Sequence, residues 1–441
     1  MKTAMANRIG YIGVDVLNNA TVCNEAIGLL GAGVALEVVS VYRYEKATFY
    51  HDVTLDSLRA AVSTLFPMRA MSVIVAVGAA PFVFGTRFLR MLSNALFGPA
   101  EGWKQRFTLL YQVIPSLVLA MRWRNRGIGH IHAHWAHTAT SIAMHTSALL
   151  GVGFSFTGHA NDLFVHRIGL TAKVRRARFV VCISEYHKRF YEMLGGDPKR
   201  LPVVYCGIDT LRLAADHPAS KQPRPRIVSV GRLVEKKGFD DLISACALLR
   251  DDGLDFECVI GGSGPLLDEL NRLISANHLE DRVFMTGSAV LQENLPEFLS
   301  SASVFSLPCV RDSDGDMDGL PQVLIEAMLC GLPVVSTRLV GIPDLVRDGE
   351  TGLLVTPNDV KGMALAIERL VSSPALATDL GGRGQAWARE FFSLKETVNR
   401  LSDLFNWAAT TPGLTPPAKL WPAAPGAGHE YADSCSIESG R

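Results

Sequence analysis

Two short segments carry side chains whose type and spacing suit an anionic ligand. The first is GRLVEKKG at 231–238, directly after the apolar β-type run RIVSV at 226–230. Arg232 and Lys237 bracket this loop at a strand's C-terminal end, where open α/β sheets bind ligands. Such a pair suits a diphosphate, because it neutralises the charge that builds on a leaving phosphate. The alternative for these residues alone is a solvated basic turn. The second segment is DGLPQVLIEAM at 318–328. Pro321 suits the first turn of a helix, where its missing N–H costs nothing. The free N–H groups of that turn, with the helix dipole, make an anion site. Gly319 lets a backbone approach closely. Glu326 lies among Val323, Leu324, Ile325, Ala327 and Met328. A carboxylate in such a helix is expensive without hydrogen-bond partners. Ribose hydroxyls would serve, and a backbone N–H or a nearby arginine is the structural alternative.

A third cluster is FSFTGHAND at 154–162, again past the end of an apolar run. His159 and Asp162 stand three residues apart there. Asp162 either orients the imidazole, binds a ligand hydroxyl or caps a helix. His130, His132 and His134 alternate, so they share one face of a strand. That spacing can hold a metal, but no carboxylate or cysteine lies nearby in sequence.

The elements that must position these residues alternate between strand and helix. In the first half, β-type runs fall at 8–14, 35–41, 129–134, 152–157, 179–184 and 201–205, with 60–126 mostly helical. In the second half, strands at 226–230, 256–260, 283–286, 304–307 and 333–336 alternate with helices at 238–250, 265–276, 295–301 and 321–330. A helix at 360–372 follows. This alternation implies parallel sheets with helices on both faces. The expected domains are 1–212, a linker at 213–225 rich in proline and polar groups, and 226–390. A last helix at about 393–408 packs back on the first domain. The tail at 410–441, rich in Pro, Ala and Gly, is expected to be disordered.

Composition narrows the classes. Charged residues make up 20% and hydrophobic ones 48%, a globular balance. Lys plus Arg equals Asp plus Glu at 43 each, so no global basic field points to nucleic acid. None of the eight cysteines forms a C-x-x-C pair, which reads as reduced core residues of a cytoplasmic protein. The N-terminus reads as the lead-in to a strand rather than a signal peptide. The most apolar stretch, 70–85, is shorter than the roughly 20 residues that span a bilayer. Residues 80–126 interleave cations with aromatic residues against one acid, Glu101. That pattern suits an anionic membrane surface, or else a solvated helical face.

GRLVEKKG, GGSGPL, DGLPQVLIEAMLCGLPVVST and GIPDLVRDGETGLLV, in this order over most of 226–360, resemble the retaining glycosyltransferases of family four. The resemblance implies the GT-B fold, two Rossmann-like domains facing across a cleft. The family's two carboxylates, with seven residues between them, then fall on Asp318 and Glu326. Glu326 would bind the nucleotide ribose and Asp318 the transferred sugar, with Asp standing where Glu is usual. Arg232, Lys237, Gly319, Leu320, Pro321 and Glu326 would hold the nucleotide, and residues 287–289 would border its base. His159 would lie near the reacting carbon, and His134 would line the same region. No metal and no cofactor is implied, because Arg232, Lys237 and the helix N-terminus replace the metal. The implied reaction moves a hexose from a UDP- or GDP-sugar to a growing glycan. The acidic stretch 311–317 resembles exopolysaccharide-type members, so the acceptor would be a lipid-linked repeat unit at the inner face of the cell membrane, met through 80–126. The alternatives are a sugar phosphorylase or epimerase of the same fold, or an inactive membrane scaffold.

Overall fold

The computed structural model describes residues 8–43, 54–213, 224–411 and 416–417. The expected lead-in before residue 8, the expected linker from 214 to 223 and the expected tail beyond 417 lie outside the described residues. Two compact units divide the chain between Tyr205 and Cys206, and at Leu394 the chain returns to the first unit.

The first unit holds six strands, β1 (Arg8–Gly13), β2 (Leu36–Ser40), β3 (Ser63–Thr64), β4 (Ile128–His134), β5 (Gly153–Thr157) and β6 (Phe179–Val181). Their order is β3-β2-β1-β4-β5-β6, with every pairing parallel. Short apolar runs such as those of β1 and β6 form strands because both faces of a parallel sheet are covered. The helix Leu394–Thr410 closes one face. Its Leu401, Leu404 and Phe405 pack with Ile9, Tyr11 and Phe179, and Arg178 donates to Ala408 O at 2.7 Å. The stretch 201–205 forms only an isolated bridge from Val203 to Cys182, not the expected strand.

The second unit repeats the plan with β7 (Arg226–Val230), β8 (Glu257–Gly261), β9 (Val283–Met285), β10 (Val304–Leu307), β11 (Val334–Thr337) and β12 (Leu353–Val355). Their order is β12-β11-β10-β7-β8-β9, again all parallel. The helix Pro374–Phe391, which contains three glycines, is not among the elements expected from the sequence. Packing explains two of them, since a Cβ at Gly384 would stand 2.8 Å from Thr351 O. A Cβ at Gly381 would stand 2.2 Å from Gly331 O, so only glycine lets this helix lie on the neighbouring turn.

The first unit also carries four consecutive helices, Ala70–Phe84, Thr86–Phe97, Trp103–Tyr111 and Val113–Trp123. Among the described residues no single helix is long and apolar enough to cross a membrane. The first two meet the length and composition requirement together but are bent by 115°.

Among the described residues, all the clearly shifted histidines lie in the first unit. Burial pushes His130 and His145 down to about 3 and His187 down to about 4. These imidazoles are neutral in the folded state, whereas the unfolded chain protonates them below about pH 6.5. Their folded pKa values are lowered, so the stability they carry is intact above pH ~6.5 and is lost as pH falls toward 4 and below. Each contributes up to about 1.4 kcal/mol per pH unit in that window. Calorimetry should show the first unit's melting temperature falling between about pH 7 and pH 5, with the second unit less affected. Equal slopes for both units would refute this account.

Candidate functional site

In each sheet the strand order reverses once, between β1 and β4 and between β7 and β10. At such a reversal the loops leaving two adjacent strands diverge to opposite faces and open a crevice at the strands' C-terminal ends. The candidate residues of each unit cluster at these two places.

In the second unit, residues 231–238 follow β7 and residues 308–321 follow β10. The short 3-10 turn Glu235–Lys237 presents both lysines toward the second loop. Lys237 Nζ pairs with Asp318 Oδ2. Lys236 Nζ lies 2.8 Å from Asp316 Oδ2 and 3.3 Å from Asp318 Oδ1. Glu235 accepts from Ser313 N at 2.8 Å and from its hydroxyl at 2.7 Å. Val310 N donates to Lys236 O at 3.0 Å. Gly238, at φ 64°, packs so closely on Pro308 O that a Cβ would stand 2.0 Å away. The basic loop and the acidic stretch are thus zipped together.

Burial opposes the Lys237 ammonium, yet Asp318 beside it holds its pKa above the usual lysine value. Burial likewise opposes the Asp318 carboxylate, and Lys237 with Lys236 overrides it and holds the carboxyl below its usual range. Both stay charged through the neutral range. Arg232 is exposed on the same loop, close enough to act against the Lys237 charge.

The helix Gln322–Leu329 starts four residues after Asp318. Pro321 stands just outside it as the cap residue, at φ −65° and ψ 110°, rather than as the expected first helical residue. Its fixed φ still suits the entry. Gly319 and Leu320 are buried in the approach, and Gly319 O accepts from Gly341 N at 3.1 Å. Glu326 is 7% exposed in the second turn. Beyond β9, Thr286 ties the ends together, accepting from Gly262 N at 3.0 Å and donating to Ser288 O at 2.8 Å. A pocket of about 510 Å³ lies beside Ser288 and Ala289 and contains none of the other nucleotide candidates.

In the first unit, His159 and His134 come together. His134 ends β4, and its Nδ1 lies 3.2 Å from His159 Nε2 with the rings stacked. His134 Nε2 lies 2.9 Å from Glu25 Oε1 and 2.7 Å from the Tyr11 hydroxyl. An ionised carboxylate only accepts, so Nε2 of His134 carries the proton and Nδ1 accepts one from His159. Burial first, then His134, pushes His159 down to about 3, so its imidazole is neutral near pH 7. Asp162 neither orients this ring nor caps the next helix, whose cap is Ala160. Fully buried, it accepts from the backbone N–H groups of Ala136, His159 and Ala160. Lys173, also fully buried, donates to the carbonyls of Ala136 and His137 at 2.7 and 2.8 Å. Between these clamps Trp135 is held at φ 75°, a conformation that costs on the order of 1–3 kcal/mol.

Glu25 also supplies the carboxylate that the sequence around the histidines lacks. It lies within 4.8 Å of ligand atoms on His132 and His134. Those atoms already have hydrogen-bond partners, since His132 meets Ser155 Oγ at 2.8 Å and Thr157 Oγ1 at 3.2 Å. Lys236, Glu25 and Tyr11 escaped the sequence reading. Lys236 sat beside a favoured lysine, and the other two lie more than a hundred residues from their partner.

Two six-stranded parallel sheets with these crevices define the GT-B architecture. Anabaena HepE in complex with UDP shares it, at TM-score 0.67 and 17% identity over 90% of this chain and 99% of that one. Residues 51–212 match the family model described as Glycosyltransferase Family 4, and 214–387 the model described as Glycosyl transferases group 1. Each half of the chain therefore matches a glycosyltransferase family model. The chain is 38% identical over 206 residues to the putative colanic acid biosynthesis glycosyltransferase WcaL of Escherichia coli K12, covering 46% of this chain and 50% of that one. It is 34% identical over 251 residues to a GDP-mannose-dependent phosphatidylinositol monomannoside mannosyltransferase of Mycolicibacterium smegmatis, covering 55% and 64%. The chain thus spans about half to just under two thirds of the length of these relatives.

Asp318→Asn keeps the shape of its side chain but leaves two largely buried ammonium groups facing a neutral amide. The variant should lose about 3 kcal/mol of second-unit stability near neutral pH. Urea denaturation reads this directly, with exposed Asp314→Asn as the control. A midpoint equal to the control's would show that the ion pairs contribute nothing net.

Proposed function

We propose that this protein is a retaining glycosyltransferase that moves a hexose from a UDP- or GDP-sugar to a growing exopolysaccharide glycan on a lipid carrier. The observation that carries the reading is the convergence of Arg232, Lys236 and Lys237 with Asp318 at the β7–β10 reversal, beside the start of the helix bearing Glu326. The names of the relatives, one in colanic acid biosynthesis and one using GDP-mannose, support the substrate classes.

In this reading the diphosphate competes with Asp318 for the Lys237 ammonium. The cation is already desolvated and positioned, so little reorganisation is needed when charge builds on the leaving phosphate. Asp318, released from part of its ion pair, accepts from a hydroxyl of the transferred sugar. Glu326 accepts from the ribose. The first unit serves the acceptor, and the neutral His159 ring, which donates its one N–H to His134, accepts a hydrogen bond from a sugar hydroxyl without a competing positive charge. Cationic side chains and helix N–H groups supply the electrostatics, so no metal is required. The enzyme works at the inner face of the membrane, where its acceptor is anchored.

Lys237→Ala should lower kcat about 100-fold with the fold intact, the scale of one lost transition-state charge contact. Wild-type turnover in the folded variant would sink the assignment. Glu326→Gln should weaken UDP or GDP and the intact sugar nucleotide alike in calorimetry. A loss confined to the sugar nucleotide would instead exchange the roles of Glu326 and Asp318. NMR of the product anomer tests retention, and a thermal-shift panel of UDP-, GDP- and ADP-sugars identifies the donor.

A further inference from the structure

The helix Ala70–Phe84 has no charged residue, and of its fifteen residues only Ala76 and Ala80 are buried. Its outward side chains include Met71 at 68%, Ile74 at 64% and Phe82 at 90% exposure. The chain then bends by 115° at Gly85 into Thr86–Phe97, where Leu89 and Phe97 stand out at 63% and 81%. Trp103, Phe107 and Tyr111 continue the apolar surface on the next helix. A patch this large and continuous is unfavourable in water and marks a surface that something covers.

We propose that this elbow is embedded in one leaflet of a phospholipid bilayer and anchors the protein as a monotopic membrane protein. The inference goes beyond the transfer reaction and does not depend on it. Three observations favour lipid over a protein partner. The apolar side chains occupy a broad stripe of the first helix, at 71, 74, 75, 77 and 82, and continue across a bend. A flat protein surface covers one face, whereas a fluid acyl layer surrounds a convex elbow.

The margins also carry charge of the right sign. Arg90 and Lys104 flank the patch, the cationic and aromatic rim that suits an anionic headgroup zone, whereas Arg87 donates to Leu150 O at 2.9 Å. The one acid between 70 and 111, Glu101, accepts from the backbone N–H groups of Gly169 and Leu170. Finally, fifteen helical residues reach about 22 Å, short of the roughly 30 Å hydrocarbon core. The elbow therefore lies within one leaflet and does not cross.

This differs from electrostatic docking through the whole of 80–126. Arg106 donates to the carbonyls of Leu96 and Gly98, Arg122 reaches Thr64 O, and Arg126 pairs with Glu37. Those cations hold the fold together, and the apolar elbow carries the attachment.

Flotation of the full chain with phosphatidylcholine and with phosphatidylglycerol vesicles tests the proposal. The protein should float with both, more completely with phosphatidylglycerol. It should stay bound in about 1 M NaCl, where the Debye length is about 3 Å. The triple variant Ile74→Ser, Val75→Ser, Phe82→Ser should remain unbound while keeping the wild-type melting temperature and UDP affinity. The substituted side chains are exposed, so the fold does not depend on them. Phe82→Trp should be quenched by lipids brominated in mid-chain. Release of the wild type by salt, flotation of the triple variant at the wild-type level, or failure of the wild type to float would each overturn the proposal. A lipid-free dimer that the triple variant dissociates would assign the patch to a second copy instead. Because UDP affinity and turnover are read separately, loss of the membrane anchor leaves the transfer reading untouched, and the reverse also holds.

Discussion

Parallel neighbours in a sheet require a crossover, and crossovers in proteins are almost always right-handed. A chain that lays strands outward on one side of its first strand must return to lay the rest on the other side. In the second unit β8 and β9 grow one way from β7, and β10 through β12 the other. The two loops that leave β7 and β10 then have no helix between them. Every charged contact of the candidate donor site follows from that reversal, because it sets residues 231–238 beside residues 308–321. The first unit obeys the same rule about β1 and β4, and its histidine cluster lies at the corresponding place.

The two crevices solve different electrostatic problems. In the second unit, cations that would repel one another are held close by Asp316 and Asp318, which cancel the charge until a ligand competes. Removing one partner of such a pair costs more than the pair contributes net, because the remaining charge stays desolvated. The two loops are thereby held together. In the first unit, burial keeps the His130, His132 and His159 imidazoles neutral, and hydrogen bonds among Glu25, Tyr11, His134, Ser155 and Thr157 tie the cluster together, with His130 Nδ1 left without a partner. A buried polar network of this kind orients its members because each has few alternative partners.

Backbone strain also falls at the first unit's crevice. Trp135 takes a left-handed conformation directly after β4, between the Asp162 and Lys173 clamps. Two fully buried polar side chains bonded to backbone groups on either side of one loop over-determine its path. The Asp162 carboxylate, which a linear reading assigns to a ligand or to a helix cap, is in fact structural. Its distance in sequence from Ala136 hid that role.

The chain by itself determined the kinds of elements and the chemistry of the short motifs. Strand runs alternating with helices announced parallel sheets, and GRLVEKKG followed by DGLPQVLIEAM announced cations, a helix start and a buried carboxylate. These features are legible because they depend on neighbours within about a helical turn. Tertiary structure alone decided the strand order, the pairing of Lys237 with Asp318 eighty-one residues away, and the meeting of Glu25 with His134. It also made Gly381 and Gly384 of Pro374–Phe391 close contact points, and it left one face of an uncharged helix without cover. None of these has a local signature. A side chain's partner across a sheet reversal is set by which strands become neighbours, and that is settled by packing the whole unit rather than by any one segment.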